Sequence, residues 1–278
     1  MISPRNGAWL RFRSRLCEWF IVHALILNPV NSVTLIRERH PGPLDIAVSH
    51  AVLTAVSEGR LGPTLRIHVP DAIVAFGRAD RVTPGYASAV RAAEAHGFVA
   101  VERLAGGRAA VFHEQTLSFS MAIPLAEPKT GIQERFELIA TIMSDAFESL
   151  GVDARIGEIP GEYCPGRWSV NVGGKVKVMG VGQRLVRRAA HIGGVVVVDQ
   201  GHRIRDVLIP VYRALGLDWD PRTAGSLADR SPGITTKLVN KAIEKQFARN
   251  FTLVEEALDP TIVDAAHDLV ADHLPAVA

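Results

Sequence analysis

From Val33 onward the apolar positions follow two rhythms, one near 3.6 residues and one of two, and the switches between them mark the elements. Val33, Leu35 and Ile36 read as a first strand. Gly42-Pro43 then opens a helix, because proline is tolerated at the first helical position, where its missing N–H is not needed. Leu44, Ala47, Val48, Ala51, Val52 and Ala55 recur at helical spacing and predict one buried face, with Gly59 and Gly62-Pro63 ending the run. Leu65, Ile67 and Val69 alternate with polar residues as a strand, Pro70-Asp71 turns the chain, and residues 73–76 make another strand ending at Gly77-Arg78. A helix over residues 84–96 is closed by Gly97, and residues 98–101 form the next strand. After the Gly106-Gly107 turn, residues 109–112 and 117–123 read as two further strands, the second stopped by Pro124. The longest helix covers residues 132–150, with Phe136, Ile139, Ile142, Met143, Phe147 and Leu150 on one stripe and Gly151 as its stop.

Residues 168–172, 176–185 and 192–198 follow so closely on one another that they predict an antiparallel meander, since parallel pairing needs a crossover of a dozen residues or more. Beyond Gly201 the pattern turns helical, over residues 204–214, 235–249 and a last helix with Asp259 as cap and Pro260 at its first position. Residues 218–232, rich in Pro, Gly, Ser and charge, read as a linker. Mainly antiparallel strands with flanking helices predict an α+β fold. The expected organisation is an extension over residues 1–31, a main domain over 32–217, and a C-terminal helical segment over 233–278 packed on or appended to it.

Composition narrows the function classes. A 278-residue chain with 47% hydrophobic and 22% charged residues buries a sizeable core and is neither disordered nor fibrous. Its net charge of +2, with basic residues scattered, gives no electrostatic footprint for nucleic acid. Two cysteines, Cys17 and Cys164, are too few for a disulfide framework, and a free thiol suits a reducing cytoplasm. Arg5, Arg11, Arg13 and Arg15 precede an apolar run over residues 20–27 that is too short for a bilayer, follows Glu18 and lacks a small-residue cleavage site. Residues 1–31 are expected to be a disposable extension or the product of an upstream start codon, with an amphipathic helix as the alternative, and no membrane partner is expected.

Three stretches carry candidate chemistry. Arg103-Leu104-Ala105-Gly106-Gly107-Arg108, followed by a strand to His113, offers backbone amides that close glycines expose to an anion, although the same glycines serve a plain hairpin and His113 by itself reads more readily as a framework histidine than as a catalyst. Cys164 lies in Gly161-Glu162-Tyr163-Cys164-Pro165-Gly166, a turn suited to presenting a side chain, and no Cys/His spacing for a metal surrounds it. In residues 175–184, Lys175, Lys177 and Met179 are expected on one strand face and Val176 and Val178 on the other, with Gly180 and Gly182 marking a close approach by a ligand. A solvent-facing lysine pair is the plain alternative. A thiol with a free pKa of roughly 8.5 becomes nucleophilic beside an ammonium, so Cys164 reads as nucleophile and Lys177 as its electrostatic partner.

These three pieces, in this order, resemble the lipoate-protein ligase and octanoyltransferase family, which shares its catalytic fold with biotin-protein ligases. The resemblance rests on Arg103 to Gly107, on Gly174 to Arg184 and on Tyr163-Cys164-Pro165-Gly166, the last most like the cysteine-dependent branch that moves octanoyl or lipoyl groups between proteins. The segment between Cys164 and Gly180 is one residue longer than the family pattern, and the extra residue is expected in the Gly173-Gly174 turn. Counting back from Gly180 selects Lys177 and counting forward from Cys164 selects Val176; Lys177 is preferred, with Lys175 in reserve. The resemblance implies an acyltransferase with Cys164 and Lys177 catalytic and Arg103, Gly106, Gly107, Arg108, His113, Gly180 and Gln183 binding substrate. It implies an acyl carrier protein or glycine-cleavage-type protein as donor, lipoyl domains of 2-oxoacid dehydrogenases as acceptors, no metal and no required cofactor.

In the expected mechanism an acyl chain of about eight carbons enters an apolar slot around Val111, Phe119 and Val178, where burial supplies on the order of 5 kcal/mol at about 0.8 per methylene. Cys164 attacks the carbonyl to give a thioester, amides near Gly180 or Gly107 hold the oxyanion, and a lysine takes the acyl group. Arg103 and Arg108 either steer an acidic carrier or are solvated rim charges. Two alternatives stand beside this. An ATP- and Mg-dependent ligase is disfavoured by Arg108 where ligases carry a third glycine and by Gln115-Thr116 where they carry Gly-Asn. A non-catalytic binder of lipoylated domains would use the helices after Gly233 as its surface.

Overall fold

The structure is a computed structural model that describes residues 32–276. The expectations for residues 1–31, Cys17 included, lie outside the described residues. Strand β1 (Ser32–Ile36) leads to helix α1 (Gly42–Ser57), then β2 (Thr64–His68) and β3 (Ile73–Phe76). A single helical turn, α2 (Arg78–Arg81), precedes α3 (Tyr86–Ala95), β4 (Val99–Glu102), β5 (Ala110–Phe112), β6 (Thr116–Pro124) and the long α4 (Ile132–Glu148). Strands β7 (Ala154–Ile156), β8 (Val170–Val172), β9 (Val176–Leu185) and β10 (Ala189–Val197) follow, then α5 (Gly201–Ala214), α6 (Thr236–Phe247), β11 (Thr252–Glu255) and α7 (Pro260–Leu269).

The strands form two sheets. Eight make a mixed sheet in the order β11-β1-β2-β6-β10-β9-β8-β7, parallel at β11-β1-β2 and antiparallel from β2 onward, while β4-β3-β5 make a small sheet. Period-two alternation sends Leu65 and Ile67 of β2, and Leu117, Phe119 and Met121 of β6, to one face of the large sheet. There they meet Ile139, Ile142, Met143 and Phe147, the stripe read from sequence on α4, and Val239, Ile243 and Phe247 of α6. On the other face α1 is buried against Ala122 and Ala189 and covered by Ile262 and Ala266 of α7. The small sheet is backed by α3 and α5, and its free face leans on the large sheet through Ala110 and Phe112 against Val195. This seam between the sheets creates the room for a site. No described helix is long and apolar enough to cross a membrane.

The α+β expectation and most elements agree with this architecture, and the differences have physical causes. Residues 218–232 are not a solvated linker. Leu227 and Ser226 are fully buried, the Leu227 and Ala228 N–H groups bond to the Val197 and Val198 carbonyls, and Ala224 bridges to Lys177. Tertiary hydrogen bonds thus overrule a composition suited to a linker. The C-terminal segment is not all helix, because residues 252–255 form β11, which completes the sheet edge beside β1. Met179 does not share a face with Lys177. The β8–β9 register shifts so that Val170 pairs with Met179 and Asn171 with Lys177, leaving Val178 as the extra residue of a bulge. Met179 therefore joins Val176 and Val178 in the core, while Lys177 and Gly180, three apart, come to the same side.

Candidate active site

The loop between β7 and β8 carries Glu162, Tyr163, Cys164, Pro165 and Gly166. Cys164 has φ 43°, in the left-handed region, and precedes a proline, so its backbone is strained by about 1–3 kcal/mol and must be held by its surroundings. A buried ion pair holds it. Lys177 Nζ donates to Glu162 Oε1 at 2.9 Å, to the Tyr163 carbonyl at 3.0 Å and to the Cys164 carbonyl at 2.6 Å. The Glu162 carboxylate also accepts from the Ser169 hydroxyl at 2.7 Å and from the Ile159 and Gly166 N–H groups at 3.1 and 3.2 Å. The pair is fully satisfied by hydrogen bonds, the condition under which a buried ion pair is tolerated.

The sulfur faces the Gly106-Gly107 turn. Cys164 Sγ accepts from the Arg108 backbone N–H at 3.2 Å and lies 3.6 Å from Arg103 Nη2, which also donates to the Arg108 carbonyl at 2.7 Å. Burial pushes the thiol up, but the charges of Arg103 and then Lys177, with the hydrogen bonds from Arg108 and Arg103, outweigh it and leave the thiol below its ordinary value. Gly107 makes the approach possible. It has φ 103°, and a Cβ there would stand 2.3 Å from Arg103 Nη2 and 2.9 Å from Sγ. The Arg108 side chain turns away to the Ala79 carbonyl and to Asp80, at 3.0 and 3.3 Å, and Asp80 in turn accepts from the Gly77 N–H at 2.9 Å.

The cysteine opens onto a cleft of about 500 Å³ at the seam between the sheets. Its walls include Ala110 and Phe112 of the small sheet, Phe136 of α4, Trp168, and Val181 and Val195 of the large sheet. Its floor is the bare backbone of Gly180, Gly182 and Gly194. A Cβ on Gly194 would fall 1.9 Å from the Gly180 carbonyl oxygen, so close pairing of β9 and β10 requires glycine there. At one wall Gln183 accepts from Arg135 Nε at 2.8 Å and donates to the Ile132 carbonyl at 3.3 Å. Buried Arg135 also donates to the Pro128 and Thr130 carbonyls, which ties the loop before α4 to the cleft. Among the described residues no cluster of three or more His, Cys, Asp or Glu side chains is gathered as for a metal ion.

Residues 43–248, which hold this thiol, guanidinium and cleft, match the family model of the lipoyl protein ligase A/B catalytic domain. The chain belongs to that family. It is 31% identical over 199 residues to the octanoyl-[GcvH]:protein N-octanoyltransferase of Geobacillus kaustophilus, covering 70% of this chain and 69% of the relative. To the lipoyl-[GcvH]:protein N-lipoyltransferase of Listeria monocytogenes it is 27% identical over 181 residues, 61% of this chain and 65% of that protein. The solved structure of lipoate-protein ligase A bound with ATP superposes with a TM-score of 0.70 at 18% identity, over 86% of this chain and 94% of that one, a likeness of fold. The expected family, and an enzyme of the octanoyl- or lipoyl-transferring kind, agree with these relatives.

Within this lipoyl protein ligase A/B domain, Arg103, Gly106, Gly107, Cys164, Lys177, Gly180 and Gln183 all line the cleft. Lys175 is exposed and Val176 lies in the core, so the count back from Gly180 chose the lysine that reaches the loop. Arg103 is the cation hydrogen-bonded to the sulfur, whereas Lys177 gives its hydrogen bonds to the loop backbone and Glu162. His113 does not line the cleft. It is fully buried, its Nδ1 accepts from the Gln115 N–H at 3.2 Å, and burial holds it down to about 4. The expected slot residues Val111, Phe119 and Val178 are not its lining either. Val111 backs onto α3 and α5, and Phe119 and Val178 belong to the core under the large sheet. In β5 the neighbours Ala110 and Phe112 face the cleft instead, a one-residue difference in facing. Glu162, Arg135 and Asp80 escaped the sequence reading, although Glu162 stands two residues before Cys164 and could have been suspected as the partner of a buried lysine.

Proposed function

We propose that this protein is an acyltransferase that carries an octanoyl or lipoyl group as a thioester on Cys164 and passes it to a lysine of a lipoyl domain. The observation that carries the reading is the Cys164 sulfur held between the Arg108 N–H and the Arg103 guanidinium at the mouth of the cleft. The acyl tail lies along the glycine floor between Phe112, Phe136 and Val195. Cys164 gives up its proton and the thiolate attacks the carbonyl carbon; the new C–S bond forms as the bond from that carbon to the carrier, C–N for a lysine amide, breaks, and the departing nitrogen takes up the released proton. The oxyanion falls to the backbone N–H of Gly107, beside the Arg108 N–H that the sulfur already engages. Arg103 stabilises the thiolate, and Lys177 fixes the strained loop through the Tyr163 and Cys164 carbonyls.

The relatives' names make the glycine-cleavage H protein the donor to test first and acyl carrier protein the second. An H-protein donor and a lipoyl-domain acceptor both hold the group as a lysine amide, so the exchange is nearly isoenergetic and no nucleotide is required. The turn also fits a nucleotide phosphate poorly, because the Arg108 N–H is directed at the sulfur and the residue in place of a third glycine carries a side chain tied to Asp80. We place the reaction in the cytoplasm, where a free thiol stays reduced. The test is transfer from octanoylated H protein to an apo lipoyl domain with no ATP present. Turnover by the native chain and a loss of at least 1,000-fold in Cys164→Ser are expected; a strict need for ATP, or a serine variant as active as the native chain, would refute the reading.

A further inference from the structure

Cys164 also lines a second cleft, of about 400 Å³, together with Arg108, Glu158, Gly161, Glu162, Tyr212, Leu217 and Asp218. Cys164, Gly107 and Pro165 line both clefts, which therefore adjoin at the cysteine. The two spaces differ in chemistry. The first has aromatic and aliphatic walls and the cations Arg103, Arg167 and Lys177 with no carboxylate, and the second carries one arginine and three carboxylates. Most polar groups of the second are already engaged. Glu162 is bonded to Lys177 and Ser169, Arg108 to Ala79 and Asp80, and the Tyr212 hydroxyl donates to the Ala109 carbonyl at 3.1 Å. Glu158 and Asp218 are exposed, and among the described residues neither carboxylate forms an ion pair or a side-chain hydrogen bond.

We infer that this second cleft is the amine-side subsite, which receives the lysine side chain of the partner protein while the acyl tail occupies the first cleft, with Glu158 and Asp218 attracting its ammonium at the rim. The inference rests on the acyl-transfer reading. A carbonyl carbon bonded to Cys164 has its tail on one side and must meet nitrogen on another, and a nucleophile where two spaces adjoin supplies both. Lysine suits the second space: its four-carbon stem runs along Leu217 and the Tyr212 ring, and its charged head is recognised by carboxylates. The unengaged charge there is negative, which raises the local concentration of a cation. In the transfer step the ammonium first gives one proton to water. Its nitrogen then bonds to the thioester carbon as the C–S bond breaks, and its second proton goes to the departing sulfur, leaving an amide and a free thiol.

The experiment separates this step from acyl loading. The native chain and the double variant Glu158→Gln/Asp218→Asn are loaded with p-nitrophenyl octanoate, a donor without an amine, and then discharged by apo lipoyl domain or by hydroxylamine, which is uncharged at pH 7.5. The double variant is expected to discharge to hydroxylamine within twofold of the native rate, while the lipoyl-domain concentration for half-maximal discharge rises five- to twentyfold. Glu158→Lys/Asp218→Lys raises it further. Lysine discharge unchanged in both variants, or slowed equally with hydroxylamine, overturns the amine-side assignment. A native chain that accepts no octanoyl group overturns the acyl-transfer reading itself, and the subsite with it.

Discussion

At the scale of single residues, the chemistry depends on how the sulfur is held. Arg103 and the Arg108 N–H reach Sγ directly, and both pull the thiol down against the effect of burial. Replacing Arg103 with Gln removes the cation and should move the midpoint of iodoacetamide alkylation against pH upward by about one unit, the typical effect of a charge at this range; an unchanged midpoint would remove Arg103 from the account. Gly107→Ala places a methyl group where Sγ and Arg103 now meet, so acyl loading should fall on the order of 100-fold, the effect of misplacing a reacting atom by about an ångström. Loading at the native rate would mean that the turn is not pressed against the sulfur. Cys164, Lys177 and the glycine turn were legible in sequence because each has a local signature: a thiol in a Pro/Gly turn, a lysine before spaced glycines, a paired glycine between strands. Arg103's contact with sulfur was not, since it depends on how a loop from the small sheet meets one from the large sheet, and nothing in either segment encodes that meeting.

Individual elements position the site through two devices. The first is the bulge at Val178, which lets Lys177 and Gly180 share a face and keeps Met179 in the core. Alternation read from sequence assumes regular pairing, so it gave Met179 the wrong face; a bulge is a property of two strands together and leaves little trace in one. The second is the Glu162–Lys177 clip, which closes the strained cysteine loop onto β9. Glu162→Gln leaves a buried ammonium without its carboxylate, and breaking such a pair destabilises by roughly 3–5 kcal/mol. The midpoint of chemical denaturation should fall accordingly. A loss below about 1 kcal/mol, the range of exposed pairs, would show that the pair does not hold the loop. The α4 stripe, in contrast, was read correctly because helix burial repeats along one segment and needs no knowledge of its partner.

For the whole molecule, layers that no single segment announces decide what is structural. His113 and His191 are both buried in the described fold, and burial holds each down to about 4. In the unfolded chain each takes up a proton near 6.5, so the unfolded state binds more protons between these values. Their contribution to stability is complete above pH 6.5 and is lost as pH falls toward 4, by about 3 kcal/mol for each group. Denaturation midpoints measured from pH 7.5 to 4.5 should therefore fall steadily below 6.5, and a flat profile would contradict the buried, neutral state of these rings. The strand at residues 252–255 and the strap at 218–232 belong to the same scale. Their partners, β1 and the end of β10, lie far away in the chain, so composition alone made one part of a helical segment and the other a linker. The central claim, a sulfur that carries the acyl group between two proteins, is tested most directly by intact mass. After incubation with octanoylated H protein and no acceptor, the native chain should gain one octanoyl group that hydroxylamine removes, and Cys164→Ser should gain none; transfer to the lipoyl domain with no such adduct, or an adduct that persists in the serine variant, would contradict it.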